Sequence, residues 1–240
     1  MVSIKRRVAR LLPAPVRHRI QTYRKNSRSQ QYYDRYGPHT KFATSNHSHY
    51  KDHQEQIARG VLPKKIEQIA SLIPGNRIIE VGSGEGLLSL ALAARGRPHV
   101  SGIEFISLRY ETAESLRQLW VEKGLVTEAS LTFVQGDIFD RLDLLDGADT
   151  LVAMHVLYHL KEHARTLLGE AARRHIASVA LVGNANRERK LAIDQESAKS
   201  QWARLATLDG MSDFLDECGY ETVLRSRDGG DPVVIGKLIG

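Results

Sequence analysis

Two groups of residues have the types and spacing to do chemistry. The first is Ile78-Ile79-Glu80-Val81-Gly82-Ser83-Gly84-Glu85-Gly86, an apolar run with one acid, then three glycines alternating with Ser83 and Glu85. Glycine lets the backbone turn sharply and approach a ligand with no Cβ in the way. A helix following such a turn offers free N–H groups to a carboxylate or phosphate. The second group is His155, His159 and His163, one helical turn apart beyond a short apolar run. A histidine at the carboxyl end of a strand in an open α/β sheet is placed to act as a general base. His155 is the first candidate for that role and His159 the second, with a hydrogen-bonded structural histidine as the plain alternative for either.

The glycine spacing discriminates between cofactor classes. A dinucleotide fold wants glycines at the first, third and sixth positions of the turn. The sixth position counted from Gly82 is Leu87, and the glycines instead fall at 82, 84 and 86. Glu80, inside the preceding strand, is placed to face the amino group of a bound amino acid, which a nicotinamide dinucleotide lacks. The three histidines bring no further ligand type, His47, His49 and His53 are no better provided, and no Asp-Asp or Asp-Asn pair follows Met154, so no metal is expected. The single cysteine, Cys218, excludes an internal disulfide framework and a Cys-rich zinc site.

These residues need elements to hold them. Apolar periodicity and glycine or proline punctuation predict helices over 64–73, 87–94, 108–122, 161–175, 186–207 and 211–218. Strands are predicted over 77–81, 99–104, 130–135, 150–154, 176–182, 220–227 and 232–238, the last two joined by a turn at Asp228-Gly229-Gly230. Five strands alternating with helices imply a parallel, doubly wound α/β sheet, closed by a hairpin.

In this order the residues resemble the class I S-adenosylmethionine (SAM)-dependent methyltransferases. The resemblance rests on the 78–86 stretch, on Glu104 ending the second strand, on Gln135-Gly136-Asp137-Ile138 after the third, and on Asp149–Met154 followed by His155-Val156-Leu157-Tyr158-His159-Leu160. It covers about residues 64–240 and implies a Rossmann-like seven-stranded sheet with a terminal antiparallel hairpin strand. It implies SAM as cofactor, with Glu80, Gly82, Ser83, Gly84, Gly86, Glu104, Phe105, Asp137, Ile138 and Met154 around it. Glu104 would accept from the ribose hydroxyls and Asp137 would lie near the adenine amino group. The strand-four exit and the polar stretch after strand five are also loosely similar to bacterial glycan methyltransferases, including O-antigen ones. The expected activity is O-methylation of a glycan or small hydroxylated metabolite by in-line methyl transfer, with a histidine base. N-methylation of a small amine is the alternative within the class; an RNA-directed methyltransferase or binding module and a catalytically dead fold are the alternatives outside it.

Acceptor recognition is expected from two segments. Residues 32–62 precede the core as a lid, with Tyr32, Tyr36, His47, His49 and Tyr50 lining it. Tyr158 and a polar insertion at about 184–208, with Asn184, Asn186 and Arg189, would complete the acceptor side; a solvated helical insertion is the plain alternative.

The chain has 240 residues, 42% of them hydrophobic, which fits one large domain plus an extension. Its net charge of +6 is unevenly spread. Residues 1–35 hold ten Lys/Arg and one acid, whereas the remaining 205 hold 24 bases and 27 acids. The basic character therefore belongs to an N-terminal arm, residues 1–31, not to the core. The arm is acid-poor like a transit peptide, but Ile4, Val8, Leu11 and Leu12 on one face also give residues 1–25 the character of a basic amphipathic helix. Peripheral contact with an anionic membrane follows as an expectation. Nucleic acid is not an expected partner, because the core is acidic. The expected location is the cytoplasm, with the inner face of the membrane as the arm's target.

Overall fold

The computed structural model describes residues 56–193 and 201–240. Seven strands form one sheet in the order β3-β2-β1-β4-β5-β7-β6. They are β1 (Arg77–Val81), β2 (His99–Glu104), β3 (Leu131–Gln135), β4 (Thr150–Met154), β5 (Ser178–Val182), β6 (Tyr220–Ser226) and β7 (Val233–Leu238). The first five run parallel, and β7 is antiparallel to both β5 and β6. This is the doubly wound sheet with a reversed terminal hairpin expected from the sequence.

The burial pattern follows from sheet position. β5 is buried at every residue and β1 at all but Arg77, as central strands covered on both faces must be. β6, at the edge, alternates between buried or half-buried and exposed positions from Tyr220 to Ser226. Because successive strand residues point to opposite faces, Ile78 and Ile79 enter two different cores. Helices α1 (Lys64–Leu72), α2 (Leu87–Ala94) and α3 (Ser107–Glu122) cover one face. Helices α5 (His163–Arg173) and α8 (Leu208–Glu217) cover the other. The short helices α4 (Leu157–Leu160), α6 (Ala185–Ile193) and α7 (Gln201–Arg204) lie between them in the chain.

Three local results differ from the sequence reading. The helix expected over 161–175 is α5, and a short helix that was not expected, α4, precedes it and is ended by Lys161 at φ 54°. The insertion starts as α6 at Ala185, where the Asn184 side chain caps the helix by accepting from the N–H of Asn186 (3.0 Å) and Arg187 (3.1 Å). Residues 56–62, read as the end of the lid, pack onto the core. Ile57 and Leu62 are buried, and the fully buried Trp120 of α3 donates its indole N–H to the Ile57 carbonyl at 2.8 Å.

Strand order reverses between β1 and β4, and the carboxyl ends of strands at such a reversal are where open α/β sheets bind ligands. The glycine loop and His155, from the two groups singled out in the sequence, lie there. Since β7 is antiparallel, with Val233 opposite Val182, its first residues also reach this end of the sheet.

Candidate active site

The glycine loop between β1 and α2 makes one wall. Gly82, Gly84 and Gly86 all have positive φ, at 70°, 59° and 79°. The N–H groups of Gly82 and Ser83 donate to the Ile103 carbonyl at 2.9 and 3.1 Å, tying the loop to β2. Two glycines show why no other residue serves. A Cβ on Gly86 would run into the Phe133 ring, whereas a Cβ on Gly84 would meet no atom within 4 Å. Gly86 packs the loop inward, and Gly84 faces open space.

Glu104, at the end of β2, is 5% exposed. Its two carboxylate oxygens accept from the N–H of Gly84 and of Ile106, each at 2.8 Å. One N–H per oxygen leaves a lone pair on each for an incoming hydroxyl. Beside it, Phe105 is a half-exposed aromatic face.

Two polar atoms of the loop are buried without a hydrogen-bond partner among the described residues, Ser83 Oγ and Glu85 Oε1. Buried polar atoms are normally satisfied, so these orphans, together with the open space at Gly84, fit a ligand rich in hydroxyl and ammonium donors. Burial pushes the Glu85 carboxyl up to about 8; Arg109 opposes the shift and Glu104 adds to it.

Glu80 is 2% exposed, and its Oε2 accepts from the Ser89 hydroxyl at 2.5 Å. The sequence reading set this acid toward a ligand's amino group, and in the structure its partner is the first turn of α2. Burial pushes its carboxyl up to about 7 against the Ser89 hydrogen bonds. Asp137 caps the turn that follows β3, accepting from the Phe139 N–H at 3.0 Å. Ile138 is buried and Met154 half-buried.

His155 makes the opposite wall. It leaves β4 with φ 57°, unusual for a non-glycine residue, held there by its N–H donating to the Val182 carbonyl at 2.8 Å. Its ring Nε2 lies 2.7 Å from Asp231 Oδ2. Asp231, immediately before β7, is 2% exposed and also accepts from the Lys65 ammonium and from the Ala185 N–H at 2.9 Å. Burial alone would raise its carboxyl; the hydrogen bonds from His155, Lys65 and Ala185 outweigh it and hold the group down at about 2. Asp231 was not among the sequence candidates. The available signal was an acid between the Gly229-Gly230 turn and the apolar run Val233-Val234-Ile235, at the entrance of a reversed strand.

Tyr158 of α4 is buried beside this pair, and burial raises the pKa of its hydroxyl against the charge of Arg187. The Arg187 guanidinium lies 4.2 Å over its ring. The structure therefore brings His155, Tyr158 and Asn184 together. It leaves His159 on the exposed side, its ring 4.5 Å from that of Tyr158. Asn186 and Arg189 sit on the exposed side of α6, bonded to each other at 2.8 Å. Tyr32, Tyr36, His47, His49 and Tyr50 lie outside the described residues, as does the basic arm. Among the described residues no group of three or more His, Cys, Asp or Glu side chains is arranged to hold a metal.

A seven-stranded sheet in this order, with a glycine loop and an acid at the ends of its first two strands, defines the class I methyltransferase fold. Residues 79–176 match the family described as "Methyltransferase domain", so this stretch carries a methyltransferase domain. The structure is similar to magnesium protoporphyrin IX methyltransferase from Synechocystis PCC 6803 with bound S-adenosylhomocysteine (SAH). That similarity has a TM-score of 0.56 and 16% identity, over 92% of this chain and 100% of the other. It is also similar to the mitomycin 7-O-methyltransferase MmcR, with a TM-score of 0.50 and 18% identity over 73% of this chain and 53% of that one. Likenesses at this level of identity show a shared fold. A curated relative from Arabidopsis thaliana, "Probable histone-arginine methyltransferase 1.4", is 30% identical over 100 residues, 42% of this chain. This chain spans only 18% of that relative's length. SAM is the cofactor of this class, and no helix among the described residues is long and apolar enough to cross a membrane.

Proposed function

We propose that the protein O-methylates a hydroxyl of a glycan or small metabolite, with His155 as general base and Asp231 as its positioning residue. The observation that carries this reading is the 2.7 Å contact between His155 Nε2 and Asp231 Oδ2 at the carboxyl ends of the central strands. SAM, when bound, supplies an electrophilic methyl group on a sulfonium. The residues proposed to hold it are the loop from Gly82 to Gly86, with the orphan Ser83 Oγ and Glu85 Oε1, together with Glu104 and Phe105.

A protonated hydroxyl is a weak nucleophile and gains reactivity as its proton is taken. Donation of Nε2–H to Asp231 leaves the Nδ1 lone pair of His155 as proton acceptor. Asp231, ionised at any working pH, orients the ring and stabilises the imidazolium that forms. The left-handed backbone at His155 turns the ring away from the β4 direction toward Asp231. An uncharged amine needs no such base, so the buried His–Asp pair favours the hydroxyl over the amine reading.

The test is methyl transfer from methyl-labelled SAM to panels of glycans, small phenols and amines, with SAH affinity measured in parallel. Labelled ether products that vanish in His155→Asn, with SAH binding retained, support the reading. Labelled amine products, or full activity of His155→Asn, overturn it. We further propose that the basic arm, residues 1–25, contacts anionic membrane. Co-sedimentation with anionic vesicles, lost when the arm is deleted, supports this, and sedimentation independent of the arm refutes it.

A further inference from the structure

We propose that the acceptor side of this site binds an anionic group of the acceptor, a carboxylate or a phosphate, through Arg187. The inference rests on the methyltransferase reading of the site and adds a substrate class to it.

The polar groups around Arg187 are engaged with other partners. Glu188 pairs with Arg227, with a 2.8 Å contact from Arg227 Nη2 to Glu188 Oε1. Arg189 donates to Asn186 Oδ1 at 2.8 Å and to the Ala185 carbonyl at 3.3 Å. Asp231, the buried acid of the site, is shared among His155, Lys65 and the Ala185 N–H. No carboxylate among the described residues pairs with the Arg187 guanidinium, which lies 4.2 Å over the Tyr158 ring. A guanidinium stacked on an aromatic face keeps its planar N–H fork in its own plane, the geometry that receives two oxygens of one anion.

The placement is built rather than incidental. The Asn184 cap fixes the first turn of α6 through the Arg187 N–H itself. Tyr158 is 8% exposed, so the platform under the guanidinium is anchored in the core. Lys65 and Arg187 supply two positive charges beside the single negative charge of Asp231. With His155 neutral, the acceptor side carries one uncompensated positive charge. An acceptor bearing an anion near its reacting hydroxyl would neutralise it.

The test uses inorganic phosphate and acetate as probes on the full chain, by calorimetry with and without saturating SAH. Phosphate, acetate or both should bind the wild type. Arg187→Met should weaken that binding by about tenfold or more, Arg187→Lys should fall between, and Arg189→Met should match the wild type. The stronger probe identifies the group recognised. No binding of either anion, equal binding to Arg187→Met, or equal loss in Arg189→Met overturns the proposal. Arg187→Lys keeps the charge and much of the side-chain volume, so it decides the question if the methionine variant fails to fold. Failure of SAH to bind would instead overturn the methyltransferase reading, while the anion comparison without SAH still judges Arg187.

Discussion

His155 and Asp231 lie 76 residues apart in the chain and 2.7 Å apart in space, joined where β4 ends and the reversed β7 begins. The pair exists because β5 lies between their strands and because β7 runs backwards, delivering an acid to the carboxyl end of the sheet. Asp231→Asn should lower turnover by about 10²–10⁴-fold, the usual worth of a positioned acid–base group, while SAH affinity stays near wild type. The pH profile adds a second check. Asp231 is held at about 2, against an ordinary value of 3.8. Its stabilising contribution is thus complete above pH 3.8 and lost only as the pH falls toward 2. No limb of the activity profile between pH 4 and 9 should move with Asp231 titration. Unchanged turnover in Asp231→Asn would remove the pair from the mechanism.

Gly84 and Gly86 should respond differently to alanine. Both have positive φ, which costs an alanine about 1–2 kcal/mol. At Gly86 the new methyl also meets the Phe133 ring, and overpacking adds about 1–3 kcal/mol. Gly86→Ala should therefore melt roughly 5–15 °C below wild type. At Gly84 the methyl enters open space, so stability should fall by the backbone cost alone. SAH affinity should drop by about tenfold or more, because the methyl stands where a ligand would approach the loop. Calorimetry and thermal melts on the two variants separate the effects. Undiminished SAH binding by Gly84→Ala would place the cofactor elsewhere.

Much of this was legible in the sequence, and the reasons are local. Strands 77–81, 99–104 and 150–154 have the expected bounds, because apolar runs end at glycine, proline or a charged residue on each side. The glycine loop and Glu104 were legible because close backbone approach and strand-end acids carry their own residue types. What escaped depends on geometry that a sequence does not print. The short helix α4 was not expected, and Lys161 sets it off from α5 with a positive φ that its residue type does not announce. Asp231 gains meaning only from the antiparallel register of β7 against β5. Which arginine of α6 faces Tyr158 depends on where the helix starts, since each residue turns the side chain by about 100°. The Asn184 cap starts it so that Arg187 faces inward and Arg189 outward.

Glu104 couples the loop to β2 through its carboxylate, so its removal should be felt twice. Glu104→Gln keeps the shape but puts an amide N–H against a backbone N–H of Gly84 or Ile106. Losing a charged acceptor costs about 1–3 kcal/mol per hydrogen bond, so SAH affinity should fall by about 10–100-fold and the melting temperature by several degrees. Calorimetry with SAH is the deciding measurement. A variant that melts lower yet binds SAH like wild type would leave Glu104 a structural role only.

The two raised carboxyls make the cofactor-free protein less stable as pH rises. Glu85 is pushed to about 8 and Glu80 to about 7, from an ordinary 4.5. A group whose folded value lies above its unfolded value adds stability that is complete below the unfolded value. That stability is lost as pH rises through the folded one. For Glu85 the window runs from about pH 4.5 to 8, and for Glu80 from about 4.5 to 7. Thermal midpoints of the cofactor-free protein should decline across that range at constant ionic strength. Glu85→Gln, neutral at every pH, should melt close to wild type at pH 5 and above it at pH 8. Glu80→Gln should show the same crossover, weakened by the loss of an acceptor for Ser89. SAH should reduce the slope in the wild type if its donors reach Glu85 Oε1, since a partner favours the ionised carboxylate. Parallel wild-type and Glu85→Gln curves would show that this carboxyl is ionised in the folded protein near neutral pH.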